Sequence, residues 1–226
     1  NGGFRHEPAH GDIAERFLVG WTMAGGGTDN KHNRYHRKAY FAYFYPQTAT
    51  WTNAAGTDFG PMIDEHEMAD CEVFDSGELR IEYRHAVEYY YTASYTDNGQ
   101  PILLFISRDE KGGHLNSALW TGEEWDINKV SSAPISESPI EIQKVGPNDF
   151  ISHQIIDSKI ISYKTADAGK NWTLNNQIET NIKHLAKMGL IDNYHPDIKF
   201  LLLQGDWSKG RQRDKTAMFD VYVVKE

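Results

Sequence analysis

Period-two alternation of apolar and polar residues runs through most of this 226-residue sequence and limits the fold more than any other feature. The stretches RFLVGWTMA (16–24), KAYFAYFYP (38–46), AVEYYYTASY (86–95), PILLFISRD (101–109) and HLNSALW (114–120) each read as a short strand. So do DFISHQII (149–156), KIISYKTA (159–166), IKFLLLQ (198–204) and AMFDVYVV (217–224). Turn signals such as DNGQ, EKGG, TGEE and ADAGKN separate them at intervals of about ten residues. Only IETNIKHLAKMG (178–189) has helical spacing, and a single short helix or turn is expected there. An all-β chain of about a dozen strands follows, which leaves a sandwich, a barrel or a propeller.

Charge removes some functions. The net charge is −9 and the 23 Lys and Arg are scattered. A nucleic-acid partner, which needs a concentrated basic face, is therefore not expected. No apolar run is long enough for a membrane span, so no membrane partner is expected either. A single cysteine, Cys71, excludes an internal disulfide framework. Aromatic residues reach 12%, and Tyr and Trp serve sheet packing and sugar stacking equally well.

One octet separates the three architectures. Thr165-Ala-Asp167-Ala-Gly169-Lys-Asn-Trp172 fits S/T-x-D-x-G-x-x-W, the pattern of an Asp-box. Physically it is a hairpin turn: Asp167 can accept from the turn's own amides, Gly169 can take a positive φ, and Trp172 can fold back over the hairpin. The competing reading is an ordinary hairpin closed by an aromatic. YFAYFYPQTATWTNAAG (40–56) repeats the order strand, turn, Trp, and TDNGQPILLF and GLIDNYHPDIKFLLLQ repeat a strand–turn–strand unit.

With the 25–40 loop and its strand, WTNAAGT, CEVFDSGE (71–78) and DNGQP, the octet carries a resemblance. The chain resembles the BNR-repeat, Asp-box β-propellers that include ulvan-type and rhamnose–glucuronate polysaccharide lyases and related glycoside hydrolases. The resemblance implies an all-β propeller of four-stranded antiparallel blades, a single domain over 1–226 of about 3.5 blades, or roughly half of a seven-bladed ring. It also implies a secreted or periplasmic setting. The partners it implies are an acidic polysaccharide or oligosaccharide, with the other half of the propeller or a second copy beside the chain.

In such a blade, with strands A to D from the axis outward, the Asp-box lies in the C–D turn and the A–B turn shares its face. The B–C and D–A connections emerge on the opposite face, where ligands bind. GGGTDNKHNRYHR (25–37) is then a B–C loop, and Tyr83-Arg84-His85 lies in a D–A connection. His114 with Lys111, and Arg211 with Arg213, fall in other B–C loops of that face. A lyase acting on a uronate must remove the C5 proton, neutralise the adjacent carboxylate and protonate the leaving oxygen. By resemblance His32, Tyr35, His36 and Arg37 are the catalytic candidates, with Arg37 gripping the carboxylate. Trp21, Tyr83, Arg84 and His114 are the substrate-binding candidates.

Simpler readings stand beside each. His36 and Tyr35 can merely begin a strand, and Arg34 and Arg37 can pair with surface carboxylates. His6 and His10 can join the same face or belong to a frayed chain start. His66, Cys71 and His85 offer ligands suited to zinc, at a spacing that matches no standard module; a buried structural Cys71 is the plainer reading. Asp64, Glu65, Glu67, Asp70 and Glu72 read as a solvated face. No cofactor is required by the sequence, and a structural zinc or calcium is the open option. The rival functions are a sialidase- or rhamnosidase-like glycoside hydrolase and a non-catalytic sugar-binding propeller.

Overall fold

A computed structural model describes residues 2–22, 37–77, 87–109, 112–131, 139–156, 158–180, 182, 185–190, 198–205 and 219–225. Among them the regular structure is seventeen strands and one 3-10 turn, Glu67–Cys71. The alternation in the sequence becomes four antiparallel sheets, each running from the axis outward in chain order.

The first blade holds β1 (Gly2–Glu7), β2 (Arg16–Thr22) and β3 (Lys38–Tyr45). Its outer strand is split between β4 (Thr50–Thr52), with β5 (Asp58–Gly60) beyond it, and β6 (Glu72–Asp75). Both halves lie on the same edge of β3, with Tyr45 opposite Thr50 and Tyr40 opposite Glu72. The second blade is β7 (Val87–Tyr95), β8 (Pro101–Asp109), β9 (Gly112–Trp120) and β10 (Trp125–Ser131). The third is β11 (Ile140–Lys144), β12 (Phe150–Ile156), β13 (Lys159–Thr165) and β14 (Thr173–Glu179). The fourth comprises β15 (Leu185–Leu190), β16 (Ile198–Gly205) and β17 (Phe219–Lys225). Strand β7 packs beside β1 and β11, and β11 beside β15, so the first strand of every blade faces the axis. This is a β-propeller arrangement.

The core lies between blades. Leu18, Phe41 and Tyr43 of the first blade meet Leu103, Phe105 and Ala118 of the second. Ile102, Leu104 and Ile106 meet Ile142 and Phe150 of the third, and Ile155 and Ile160 meet Phe200 and Leu202 of the fourth. Burying one such side chain fully contributes about 1.5–3 kcal/mol, so each joint holds its neighbours without help from covalent links.

Two expectations are corrected. The described residues of 178–189 hold no helix: β14 ends at Glu179 and β15 begins at Leu185. Ile178, Ile182 and Met188 all pack into the joint between the third and fourth blades, so their helix-like spacing comes from two strands feeding one core. The chain start is not frayed but forms β1, paired with β2 from Gly2 opposite Trp21 to Glu7 opposite Arg16. GGFRHE has one large apolar residue and no apolar alternation. It is held instead by its full ladder and by Glu7, which is wholly buried and accepts from Arg16 Nε at 2.7 Å.

Candidate functional site

The strand order gives the propeller two rims. The A–B and C–D turns leave by one, including 96–100, 121–124, 145–149 and 166–172. The ends of β2, β6 and β8 and the starts of β3, β7 and β9 lie at the other.

The first rim is built from saturated turns. Thr165 Oγ1 donates to Asp167 Oδ1 at 2.7 Å and accepts from Gly169 N at 3.0 Å. Asn171 donates through its backbone N to Asp167 Oδ1 (2.9 Å) and through Nδ2 to Oδ2 (2.7 Å). Burial works against the Asp167 carboxylate, but these donors outweigh it and hold its pKa below the ordinary value. Gly169 has φ +92°, and a Cβ there would stand 2.8 Å from Ile102 Cδ1. An open cavity of about 470 Å³ beside this turn is lined by Asp149, Lys164, Asp167 and Asn171 among others. Among its lining residues the ionisable ones are Asp149, Lys164 and Asp167, and the Asp167 carboxylate is already taken up by the turn's own donors. His6 and His10 also belong to this rim rather than to the opposite face: His6 Nε2 lies 2.8 Å from Glu15 Oε1 and His10 Nε2 2.9 Å from Glu7 Oε1.

The second rim carries charged and aromatic groups at its strand ends. Arg37 is exposed, immediately before β3. Its carbonyl accepts from Ser76 N at 3.0 Å and Ser76 Oγ at 2.9 Å, which ties the start of β3 to the end of β6. Its guanidinium makes no ion pair with a described residue. Next to it, Lys38 is fully engaged: its ammonium bonds Glu72 and, at 3.1 Å, Asp75, and both raise its pKa. Burial pushes against the Asp75 carboxylate, but the Gly77 amide, Lys38 and Arg37 hold it low. Lys38, Tyr40, Glu72 and Asp75 share one face of the sheet because their positions are paired across β3 and β6.

Trp21 stacks on Tyr40 with ring centroids 5.6 Å apart and planes 16° apart. Burial raises the Tyr40 phenol above its ordinary pKa, with smaller opposing effects from its charged neighbours. At the corresponding end of the second blade, His114 Nε2 lies 3.0 Å from Asp109 Oδ2. Its Nδ1 is buried and has no hydrogen-bond partner among the described residues.

Of the sequence-derived candidates, the structure thus places Arg37, Trp21 and His114 at strand ends on one rim. His32, Tyr35, His36, Tyr83, Arg84 and His85 lie outside the described residues, as do Lys111, Arg211 and Arg213. Sequence reasoning missed Tyr40, Asp109 and the Lys38–Glu72–Asp75 group. The two-residue period from Lys38 to Tyr40 was the signal for part of it. The pairing of β6 with β3 had none.

Of the zinc candidates, His85 lies outside the described residues, and His66 and Cys71 differ in exposure. The His66 side chain is 86% exposed, whereas Cys71 is 2% exposed. Burial, then Asp70 and Glu67, push the Cys71 thiol up to about 12. Among the described residues no group of three His, Cys, Asp or Glu stands close enough to hold a metal. The acidic stretch is not wholly solvated, because Glu72 is committed to Lys38.

No protein-family model matches this sequence, and no curated protein matches it either. Solved structures do match. An ulvan lyase of polysaccharide lyase family PL25 aligns over 100% of this chain with a TM-score of 0.67 at 15% identity, and the same holds for its complex with -[GlcA(1-4)Rha3S]-. The polysaccharide lyase Uly1 aligns over 100% of the chain with a TM-score of 0.55 at 14% identity. An α-L-arabinanase from Penicillium chrysogenum, complexed with arabinobiose, aligns over 92% with a TM-score of 0.50 at 11% identity. This chain covers 51%, 46% and 58% of those three proteins, so it spans about half their length. At these identities the likeness is one of fold, and the fold is the β-propeller.

Proposed function

We propose that the chain belongs to a carbohydrate-active propeller that cleaves a uronic-acid-containing polysaccharide by β-elimination. The observation that carries this reading is Arg37: an exposed guanidinium without an ion-pair partner among the described residues, on the rim opposite the saturated turns, at the base of the segment that holds His32, Tyr35 and His36. In this scheme Arg37 grips the uronate carboxylate and neutralises the charge that builds there as the C5 proton leaves. A histidine of the segment takes that proton, the C4–C5 double bond forms, and the C4–O bond breaks. A protonated group, Tyr35 or the second histidine, returns a proton to the leaving oxygen. Trp21 offers an apolar face to a sugar ring. That a similarly folded lyase has been seen with a glucuronate-containing oligosaccharide supports the substrate class. A secreted or periplasmic location suits a polymeric substrate of this kind.

Glycoside hydrolysis is the second reading, favoured by the arabinanase fold match. It needs a pair of carboxyl groups, one of them protonated as an acid. The two carboxylates nearest Arg37 in sequence pairing, Glu72 and Asp75, share Lys38, and Asp75 is held low rather than raised. Neither is suited to that role.

The test is to offer the protein a panel of uronic-acid polysaccharides, ulvan included, and follow the ultraviolet absorbance of the unsaturated uronate. A rise establishes elimination. Release of reducing ends without that absorbance establishes hydrolysis instead, and sugar binding with neither product leaves a binding propeller.

A further inference from the structure

The cavity of about 470 Å³ on the first rim is walled by two turns of the third blade. Turns 145–149 and 166–172 are tied together where Ala168 N donates to Asn148 O at 2.9 Å. Inside the first turn, Val145 N and Gly146 N donate to the backbone carbonyl of Asp149 at 2.9 and 3.2 Å. The Asp149 carboxylate is therefore left out of its own turn. It rests over Gly146, where a Cβ would stand 2.6 Å from Oδ2. On the adjoining strands, Ile151 pairs with Lys164 and Lys164 with Thr173, so these three side chains stand side by side on one face of the sheet.

Both charges in this wall are uncommitted. Among the described residues, neither the Lys164 ammonium nor the Asp149 carboxylate has a hydrogen-bond or ion-pair partner, although both line the same cavity. Asn171 commits Nδ2 to Asp167 Oδ2 at 2.7 Å, which leaves its Oδ1 open, and the Thr173 hydroxyl is unengaged. Val145, 52% exposed, adds an aliphatic surface. A simple anion would be repelled by Asp149, and a simple cation by Lys164. A ligand with several hydroxyls and C–H groups between them satisfies the whole wall. Its hydroxyls donate to the carboxylate and the amide oxygen, its oxygens accept from the ammonium, and its C–H face covers Val145. The cavity volume falls within the roughly 300–1,000 Å³ of small-molecule sites.

We propose that this cavity is a second saccharide-binding site, on the rim opposite Arg37. It binds and does not cleave, so a polysaccharide is held at two points of the propeller, one for reaction and one for attachment. The Lys164 ammonium gives an acidic sugar an added charge-assisted bond. The ligand class follows from the cavity, and the choice of an acidic probe rests on the substrate proposed above.

Titration of the methyl-labelled protein with a glucuronate-containing oligosaccharide tests this. The signals to follow are those of Val145 and Ile151, which line this cavity. They should shift saturably in the wild type and equally in Arg37→Ala. Lys164→Ala and Asp149→Ala should each weaken that titration by roughly 10-fold or more, with circular dichroism unchanged. No saturable shift in the wild type at millimolar ligand, or a titration unchanged in either variant, overturns the proposal. Shifts caused by glycylglycine and not by the saccharide assign the cavity to a zwitterionic peptide and overturn it too. Shifts lost in Arg37→Ala place the binding on the other rim, which removes this site and keeps that one. Shifts that persist there while Arg37→Ala leaves the overall affinity unchanged keep this site and remove the other.

Discussion

Trp172 donates its indole N–H to Ser117 Oγ at 2.9 Å, and Ser117 donates to Gly169 O at 2.9 Å. A turn of the third blade is thereby pinned to a strand of the second. The indole N–H also reaches Gly169 O at 3.0 Å, so the tryptophan closes its own hairpin and grips its neighbour with the same atom. Ser117→Ala removes the neighbour's half of this contact and leaves the hairpin's half. Loss of hydrogen bonds at a buried serine costs about 1–2 kcal/mol. The thermal midpoint should fall by roughly 3–6 °C. Gly169→Ala should cost more, because it adds a positive-φ penalty to a clash with Ile102.

Acid should loosen the same turn. The folded-state pKa of Asp167 lies below its unfolded value, so its contribution is complete above the unfolded value and is lost as pH falls through the folded one. Asp167→Asn should flatten the acid limb of a stability–pH profile measured by urea unfolding. An unchanged limb would show that the carboxylate's bonds to Asn171 and Thr165 do not stabilise the fold.

A second latch joins the first blade to the second. Arg16 bonds the buried Glu7 and donates through Nη2 to Gly99 O at 2.7 Å, with its guanidinium 3.8 Å above the Tyr43 ring. Glu7→Gln leaves the arginine buried without its counter-charge and should cost about 3 kcal/mol in denaturant unfolding. Gly99→Ala should also destabilise, since φ is +73° and a Cβ would stand 2.2 Å from Ile13 Cδ1.

Cys71 should behave as an inert core thiol. With its pKa near 12 and 2% of its surface exposed, it should resist a thiol reagent at mildly alkaline pH and react only after unfolding. Rapid reaction of the native protein, or its protection by zinc, would revive the metal reading.

How legible this was in the sequence depended on the range of the interaction. Alternation sufficed for β2, β3, β8, β9, β12 and β13, because each buries one face against a neighbouring blade and so carries its own period. It failed for β1, whose ladder and Glu7–Arg16 pair are supplied by residues from 16 to 22. It misled at 178–189, where two strands share one core across a connection. Arg37 and Trp21 could be placed on one rim from the sequence because strand order alone decides which rim a strand end faces. Tyr40 and the Lys38–Glu72–Asp75 group could not be, because they depend on β6 returning to β3 after the excursion of residues 46–71.

The most direct measurement is binding of a glucuronate-containing oligosaccharide, and of the same oligosaccharide with its carboxyl groups reduced to alcohols, to the wild type and Arg37→Ala. A charge-assisted hydrogen bond is worth about 1.5–3 kcal/mol, or roughly 10- to 100-fold in affinity. The substitution should weaken the acidic ligand by that factor and leave the reduced one unchanged. If both ligands bind the variant as they bind the wild type, Arg37 does not recognise the carboxylate and the proposed site is wrong.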